Sequence, residues 1–380
     1  MALSILVPRS LAFVPLLAGV IGYIGLSLRE KKLLPLDRGL SLFFGLTVLL
    51  SAASYVWADY PDGVVCRSLN TGAIFFAGLL MLAFSGRQSI TSRRDIIALL
   101  VLYVALGAYF GVEFSWGLPI AHLINPGYQD FFFNRSVVVF TCLLFPLLFL
   151  ARRYFAHAVV PLALLAAILV TLWLTGSQTA QMVFLCGFAG YGVLWAIRNM
   201  HWRRRILNTA GFGINLCILA SPLIPGFLLQ HIPPDMESSG YATRANIGGR
   251  LEIWNFVAGK IMEKPWLGHG IEATRNFQTD LLMPINHAHS ILHPHNALLQ
   301  IWVEFGLAGA LLACAFIAFL IVRIQRASHF AQPLYFSALL SSLCLLSTGY
   351  GLWQSWQVGF LLTLAAVCVL VTRIPDSEKA

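Results

Sequence analysis

Residues 289–309 read HSILHPHNALLQIWVEFGLAG, with two histidines and an asparagine directly before a strongly apolar run. His287 and His289 precede this pair, so two H-x-H spacings fall close together. An H-x-H in an extended segment puts both rings on one side, an arrangement that suits a metal. A neutral imidazole also suits proton abstraction from a hydroxyl nucleophile near pH 7. A third reading is a polar, hydrogen-bonded loop at a membrane boundary. No carboxylate follows at a ligand-like spacing and Pro294 splits the second pair, so a general base is favoured over a metal site. His295, nearest the apolar run, is the first candidate, with His293 assisting.

Other residue types could serve the same chemistry. Arg250 opens RLEIWNFVAGKIMEK four residues before Trp254, on the same helical face. Its planar fork matches phosphate oxygens, although a surface arginine snorkelling from the interface reads the same way. Arg135, in FFFNRSVVVF, stands at the mouth of an apolar run, as an interfacial anchor or an anion-binding residue. Gln178, in LTGSQTAQ, belongs to a polar cluster that would also serve as a helix cap, with Ser177 as N-cap. Glu304 lies two turns into the helix after the histidines, where a carboxylate is expensive. It would orient His295 or Arg250, or sit within reach of solvent. Asn296 starts that helix and turns its positive end toward the same place.

The elements that must position these residues are membrane helices. The 380-residue chain is 58% hydrophobic and 11% charged, with a mean hydropathy of +0.77; a soluble domain is about a quarter charged. Eleven apolar runs are candidate spans: 10–28, 39–57, 67–84, 96–114, 133–151, 156–175, 178–197, 206–228, 296–322, 333–350 and 357–372. The expected fold is an all-α polytopic membrane protein of about eleven transmembrane helices, or twelve if the first span is misjudged. That first run lacks a basic leader and a small-x-small cleavage site, and is expected to be retained. Alternating loops hold 17 of the 25 basic residues against five of the 16 acidic ones. Basic loops stay cytoplasmic, so the N-terminus is expected outside and the C-terminus inside. The positive charge is split among short loops on one face, which speaks against nucleic-acid binding. Seven cysteines are scattered without a CxxC and read as packing residues.

One external connection, 229–295, is long and holds six of the ten histidines. It divides the chain into an N-terminal bundle (1–228), a large periplasmic loop (229–295) and C-terminal helices (296–380). Within the loop, Leu251, Ile253, Trp254, Val257, Ile261 and Met262 recur at helical spacing, predicting an amphipathic helix near the bilayer surface.

Taken in order, these segments resemble the signature region of the O-antigen ligase and O-antigen polymerase superfamily. Its R-x-x-x-W is met by Arg250 and Trp254, and its P-x-x-G-x-G by Pro265, Gly268 and Gly270. Its H-x-H-N-x-x-L-Q is met by His293, His295, Asn296, Leu299 and Gln300, and its E-x-G-x-x-G by Glu304, Gly306 and Gly309. The resemblance implies a glycosyltransferase of the bacterial inner membrane with its site on the periplasmic side. The donor would be a glycan on polyprenyl pyrophosphate. The acceptor would be lipid A–core for a ligase, or another lipid-linked glycan for a polymerase. It implies no cofactor and no metal. His295, His293 and Glu304 would be catalytic, and Arg250, Arg135, Gln178 and Asn296 would hold pyrophosphate. One departure is Gln178, where ligases often carry the arginine of a TGSR motif. Arg135 or Arg67 would then have to supply the charge.

A transporter or flippase would also have many spans, but should show paired broken helices in two related halves, and no such symmetry is visible. A scaffold would not require the histidines.

Overall fold

The computed structural model describes residues 7–88, 92–231, 247–277 and 291–373; His287 and His289 lie outside them. Every element described is helical. In chain order the helices are α1 (Val20–Glu30), α2 (Arg38–Ala53), α3 (Val64–Ser85), α4 (Arg93–Ser115) and α5 (Pro119–Ile124). Then come α6 (Asn134–Tyr154), α7 (Val159–Thr175), α8 (Gln178–Ala196), α9 (Met200–Ala220) and α10 (Ile224–His231). The last four are α11 (Ile247–Glu263), α12 (Ala297–Arg326), α13 (Gln332–Thr348) and α14 (Ser355–Thr372).

Each of the eleven apolar runs is helical, but they are not alike. Among the described residues, eight helices are long and apolar enough to cross a membrane. The pair α9 and α10, bent by 83°, makes a ninth only when counted as one span; Pro222 and Pro225 interrupt the run read as 206–228. α7 and α13 have 17 residues each, rising about 26 Å against a hydrocarbon core of about 30 Å. The first run opens with a 3₁₀ turn (Pro8–Ala12) and a π turn (Pro15–Gly19), each with a proline at its start, before α1 begins.

α6 is the central helix: 83% of its apolar stretch is buried, with Val137, Val138, Phe140, Leu144 and Phe145 inaccessible. α8 and α13 pack against each other and against α6. At Gly187 even a methyl group would come within 2.2 Å of the Ser341 Oγ, so a small residue sets that approach. Gly190 meets Leu340, Gly187 meets Ser341 and Cys186 meets Cys344. α8 and α13 are therefore antiparallel, and Gln178 at the start of α8 lies at the same end as Thr348 at the close of α13.

The amphipathic helix expected at 250–264 forms as α11. It buries Leu251, Ile253, Val257 and Ile261 against α10 and α12. Met262 departs from the expected pattern and is 55% exposed, because it lies a further 100° round the helix from Ile261.

α12 is two helical segments joined at Gly306, whose φ of 57° and ψ of −149° are not helical. Such a break frees backbone donors and acceptors that need partners. The turn at 265–270 supplies them. Leu307 and Ala308 donate their N–H groups to the carbonyls of Pro265 (2.8 Å) and Trp266 (3.2 Å), while His269 and Gly270 donate to those of Val303 (2.8 Å) and Glu304 (2.9 Å). The two backbones touch. A Cβ at Gly268 would lie 2.4 Å from the Glu304 carbonyl carbon, and one at Gly306 would lie 2.4 Å from that of Trp266. The glycines of P-x-x-G-x-G and E-x-G are thus two sides of one contact.

Candidate functional site

α11 carries Arg250 and Trp254 one turn apart, and both reach other elements. Arg250 donates from Nη1 to the Thr348 carbonyl at 2.8 Å, at the C-terminus of α13, where free carbonyls attract a cation. Trp254 donates from Nε1 to the Pro294 carbonyl at 2.8 Å, which pins the peptide between the two histidines. His295 has a φ of 54°, a conformation that non-glycine residues rarely adopt and that surrounding contacts must hold. One such contact is its Nδ1, 2.7 Å from the Gly349 carbonyl. A carbonyl only accepts, so Nδ1 carries the hydrogen and the lone pair is left on Nε2. The His293 ring lies 4.3 Å from that of His295. It is buried, and its Nε2 has no hydrogen-bond partner among the described residues.

The segment that gathers these groups is one no sequence pattern had marked. Residues 349–354, GYGLWQ, form a short connection between α13 and α14. Besides the Gly349 carbonyl, it offers Gly351, which lies against the His293 ring; a Cβ there would be 3.0 Å from the ring's Cγ. Tyr350 lies under the Arg135 guanidinium, 4.9 Å from the ring centroid, and Trp356 is at 5.5 Å. Leu352 donates its N–H to Gln300 Oε1 at 2.8 Å. Gln300 Nε2 in turn donates to Glu304 Oε1 at 2.8 Å, and Trp353 Nε1 donates to Glu304 Oε2 at 2.5 Å. The available signal was a cluster of three aromatics between two apolar runs, at the depth where such rings collect.

Each expected site residue has a definite place. His293, His295, Arg250 and Arg135 converge on residues 348–351. Glu304 is fully buried, and its oxygens accept from Gln300 and Trp353 rather than from Arg250 or His295, the partners expected for it. It braces the 349–354 connection from behind. Asn296 is the N-cap of α12: its Oδ1 accepts from Leu298 (3.0 Å) and Leu299 (3.4 Å). That engages donors an anion would otherwise meet at the helix end. Gln178 opens α8 at the same end of the bundle, with Ser177 at the cap position but without a side-chain cap bond.

Electrostatics separate the two histidines. Burial lowers the pKa of His295 and the Arg250 charge adds to this, while the bond to the Gly349 carbonyl works the other way. Its neutral, proton-accepting form therefore prevails at pH 7. His293 is pushed down to about 3, by burial first and then by His295, Arg275 and Arg135. A group that weakly basic is a poor general base. Burial raises the Tyr350 pKa, and Arg135 and Arg250 both oppose it, so the two guanidiniums bear on one phenol. Among the described residues no group of three or more His, Cys, Asp or Glu is placed to hold a metal ion.

A second charged cluster adjoins. Glu272 Oε2 accepts from Arg67 at 2.8 Å and from Arg275 Nε at 3.0 Å. On the far side of the 265–270 turn, buried His269 places Nδ1 2.5 Å from Asp59 Oδ2 and Nε2 2.8 Å from the Lys260 carbonyl. Lys264 pairs with the same Asp59.

Residues 161–314 match the family model described as O-Antigen ligase. That span holds Gln178, Arg250, both histidines, Asn296 and the Gly268–Gly306 contact. Over that span the chain is similar to the O-antigen ligases. Three relatives, all named "Putative polysaccharide ligase", come from Rickettsia. The one from Rickettsia felis is 31% identical over 42% of this chain and 40% of its own length. That of Rickettsia conorii is 22% identical over 93% of this chain and 84% of its own. That of Rickettsia prowazekii is 30% identical over 53% and 49%. This chain thus spans less than half the length of the first and third. No solved structure matches it. With its apolar helices, the chain is a multi-pass membrane protein. The family match ends at residue 314, before the 349–354 connection that completes the site.

Proposed function

We propose that the protein is a glycosyltransferase of the bacterial inner membrane, acting on the periplasmic face without a metal. It moves a glycan from polyprenyl pyrophosphate to a hydroxyl of lipid A–core. The observation that carries this reading is the convergence of Arg250, Arg135 and His295 on the end of α13. A polyprenyl tail stays in the bilayer while its pyrophosphate sits at headgroup depth, so cations and a base are needed together at the mouth of a span. The acceptor oxygen attacks the anomeric carbon and its proton passes to His295 Nε2. The bond from that carbon to the pyrophosphate oxygen breaks with its electron pair, and the leaving charge falls to Arg250 and Arg135. Glu304 and Asn296 position the backbone around His295, and Gln178 borders the donor from the start of α8.

A polymerase of the same superfamily would use the same groups with a second lipid-linked glycan as acceptor. The absence of lipid A–core from its products would identify it. The deciding experiment incubates purified protein with lipid-linked glycan and acceptor and measures released polyprenyl pyrophosphate. Acceptor-dependent release is expected. Movement of the intact lipid-linked glycan between leaflets, with no release, would make it a flippase instead.

A further inference from the structure

Two groups of cations bear on the histidine pair, and the proposed reaction uses only one of them. Arg135 and Arg250 face Tyr350. The second group is Arg67, from the first turn of α3, and Arg275, from a 3₁₀ turn at Ala273–Asn276. Both bind Glu272, Arg67 at 2.8 Å and Arg275 by a fork at 3.0 and 3.2 Å. Glu272 sits at a φ of 57°, so its backbone is held in a conformation costly for a side-chain-bearing residue. The turn is tied to the histidine segment by a bond from Thr274 Oγ1 to the Leu292 carbonyl at 3.5 Å, and the Arg275 charge acts on His293 directly. His293 Nε2, buried and without a hydrogen-bond partner among the described residues, is a second sign that a ligand belongs between this cluster and His295.

Charge counting supports the same conclusion. Arg67, Arg135, Arg250 and Arg275 outnumber Glu272 by three. A glycan-bearing pyrophosphate carries about one negative charge per phosphate, so the donor leaves a positive remainder on the Arg67–Arg275 side. The side chains of Arg67, Glu272 and Arg275 are 25%, 19% and 42% exposed, so an incoming group can reach them.

We propose that Arg67 and Arg275 form a second anion subsite that recognises a phosphate group on the acceptor glycolipid. Glu272 bridges the two guanidiniums and offsets one of their charges until the phosphate takes its place. The subsite sets which hydroxyl is offered to His295, with His293 Nε2 contacting the acceptor. This rests on the glycan-transfer reading above.

The test is acceptor binding by the full chain, with the donor subsite filled by saturating polyprenyl pyrophosphate. Two pairs of probes are compared: lipid A–core before and after phosphatase, and one glycan carried on polyprenyl pyrophosphate or on neutral polyprenol. In at least one pair the phosphate-bearing form should bind about tenfold or more tightly. Preference in the first pair assigns a core phosphate, and preference in the second a lipid-linked acceptor. Arg275→Ala, at an exposed position, should erase the preference and leave polyprenyl pyrophosphate affinity unchanged; Arg275→Lys should keep part of it. No preference in the wild type, or a preference that survives Arg275→Ala, overturns the subsite. Failure of the transfer reading shows separately, as no binding of polyprenyl pyrophosphate by the wild type.

Discussion

His295 and Gly349 are joined by a 2.7 Å hydrogen bond from the imidazole Nδ1 to the carbonyl at the end of α13. The bond fixes the tautomer, and with Trp254 holding the Pro294 carbonyl it fixes the ring. A base 54 residues away in sequence from its orienting carbonyl is thereby set on two rigid helices.

Arg250 tests the anion role. Its guanidinium already gives one N–H to Thr348, which leaves the rest of the fork for phosphate oxygens. Arg250→Lys keeps the charge but cannot bridge both, and should lower transfer by about tenfold to a hundredfold. Transfer at the wild-type rate in that variant would leave Arg250 an anchor between α11 and α13.

Glu304 and Gln300 give a prediction of rearrangement. Glu304 accepts from both Gln300 and Trp353, and Gln300 also accepts from Leu352. Glu304→Gln leaves a donor facing a donor, and should cost about 1–3 kcal/mol, read as a lower melting temperature with slower transfer. The exchange Gln300→Glu with Glu304→Gln restores every donor–acceptor pair and should recover most of the loss. A double variant no better than the single one would show that the carboxylate at 304 does more than brace the connection.

Much of this was legible beforehand, and the limits have physical causes. Apolar runs revealed the helices, because hydrocarbon tolerates little else. They did not reveal the 83° bend at Pro222 and Pro225 or the break at Gly306. At Gly306 the backbone leaves the helix because the 265–270 turn supplies hydrogen bonds from 34 to 42 residues away. The histidines and Arg250 stood out as charged or polar groups beside an apolar run. Their partners did not, because Thr348 and Gly349 act through backbone carbonyls and any residue type would provide one. Glu304 looked catalytic for its cost in a membrane, whereas that cost is met by Gln300 and Trp353.

Acid should weaken the fold through His293. Its pKa is about 3 against an ordinary 6.5, so the unfolded chain binds the extra proton first. Stability is full above about pH 6.5 and falls as pH drops from there toward 3. His293→Gln should flatten that decline in a series of melting curves. An unchanged slope would mean that the ring is not held neutral.

The central claim is that His295 takes the acceptor's proton, and the single-turnover rate of glycan transfer in His295→Ala tests it most directly. The variant should fold and bind polyprenyl pyrophosphate like the wild type, because the arginines remain. Its transfer rate should be about 10²–10⁴-fold lower, the usual contribution of a positioned base. A near-normal rate in His295→Ala, with donor binding intact, would contradict the account.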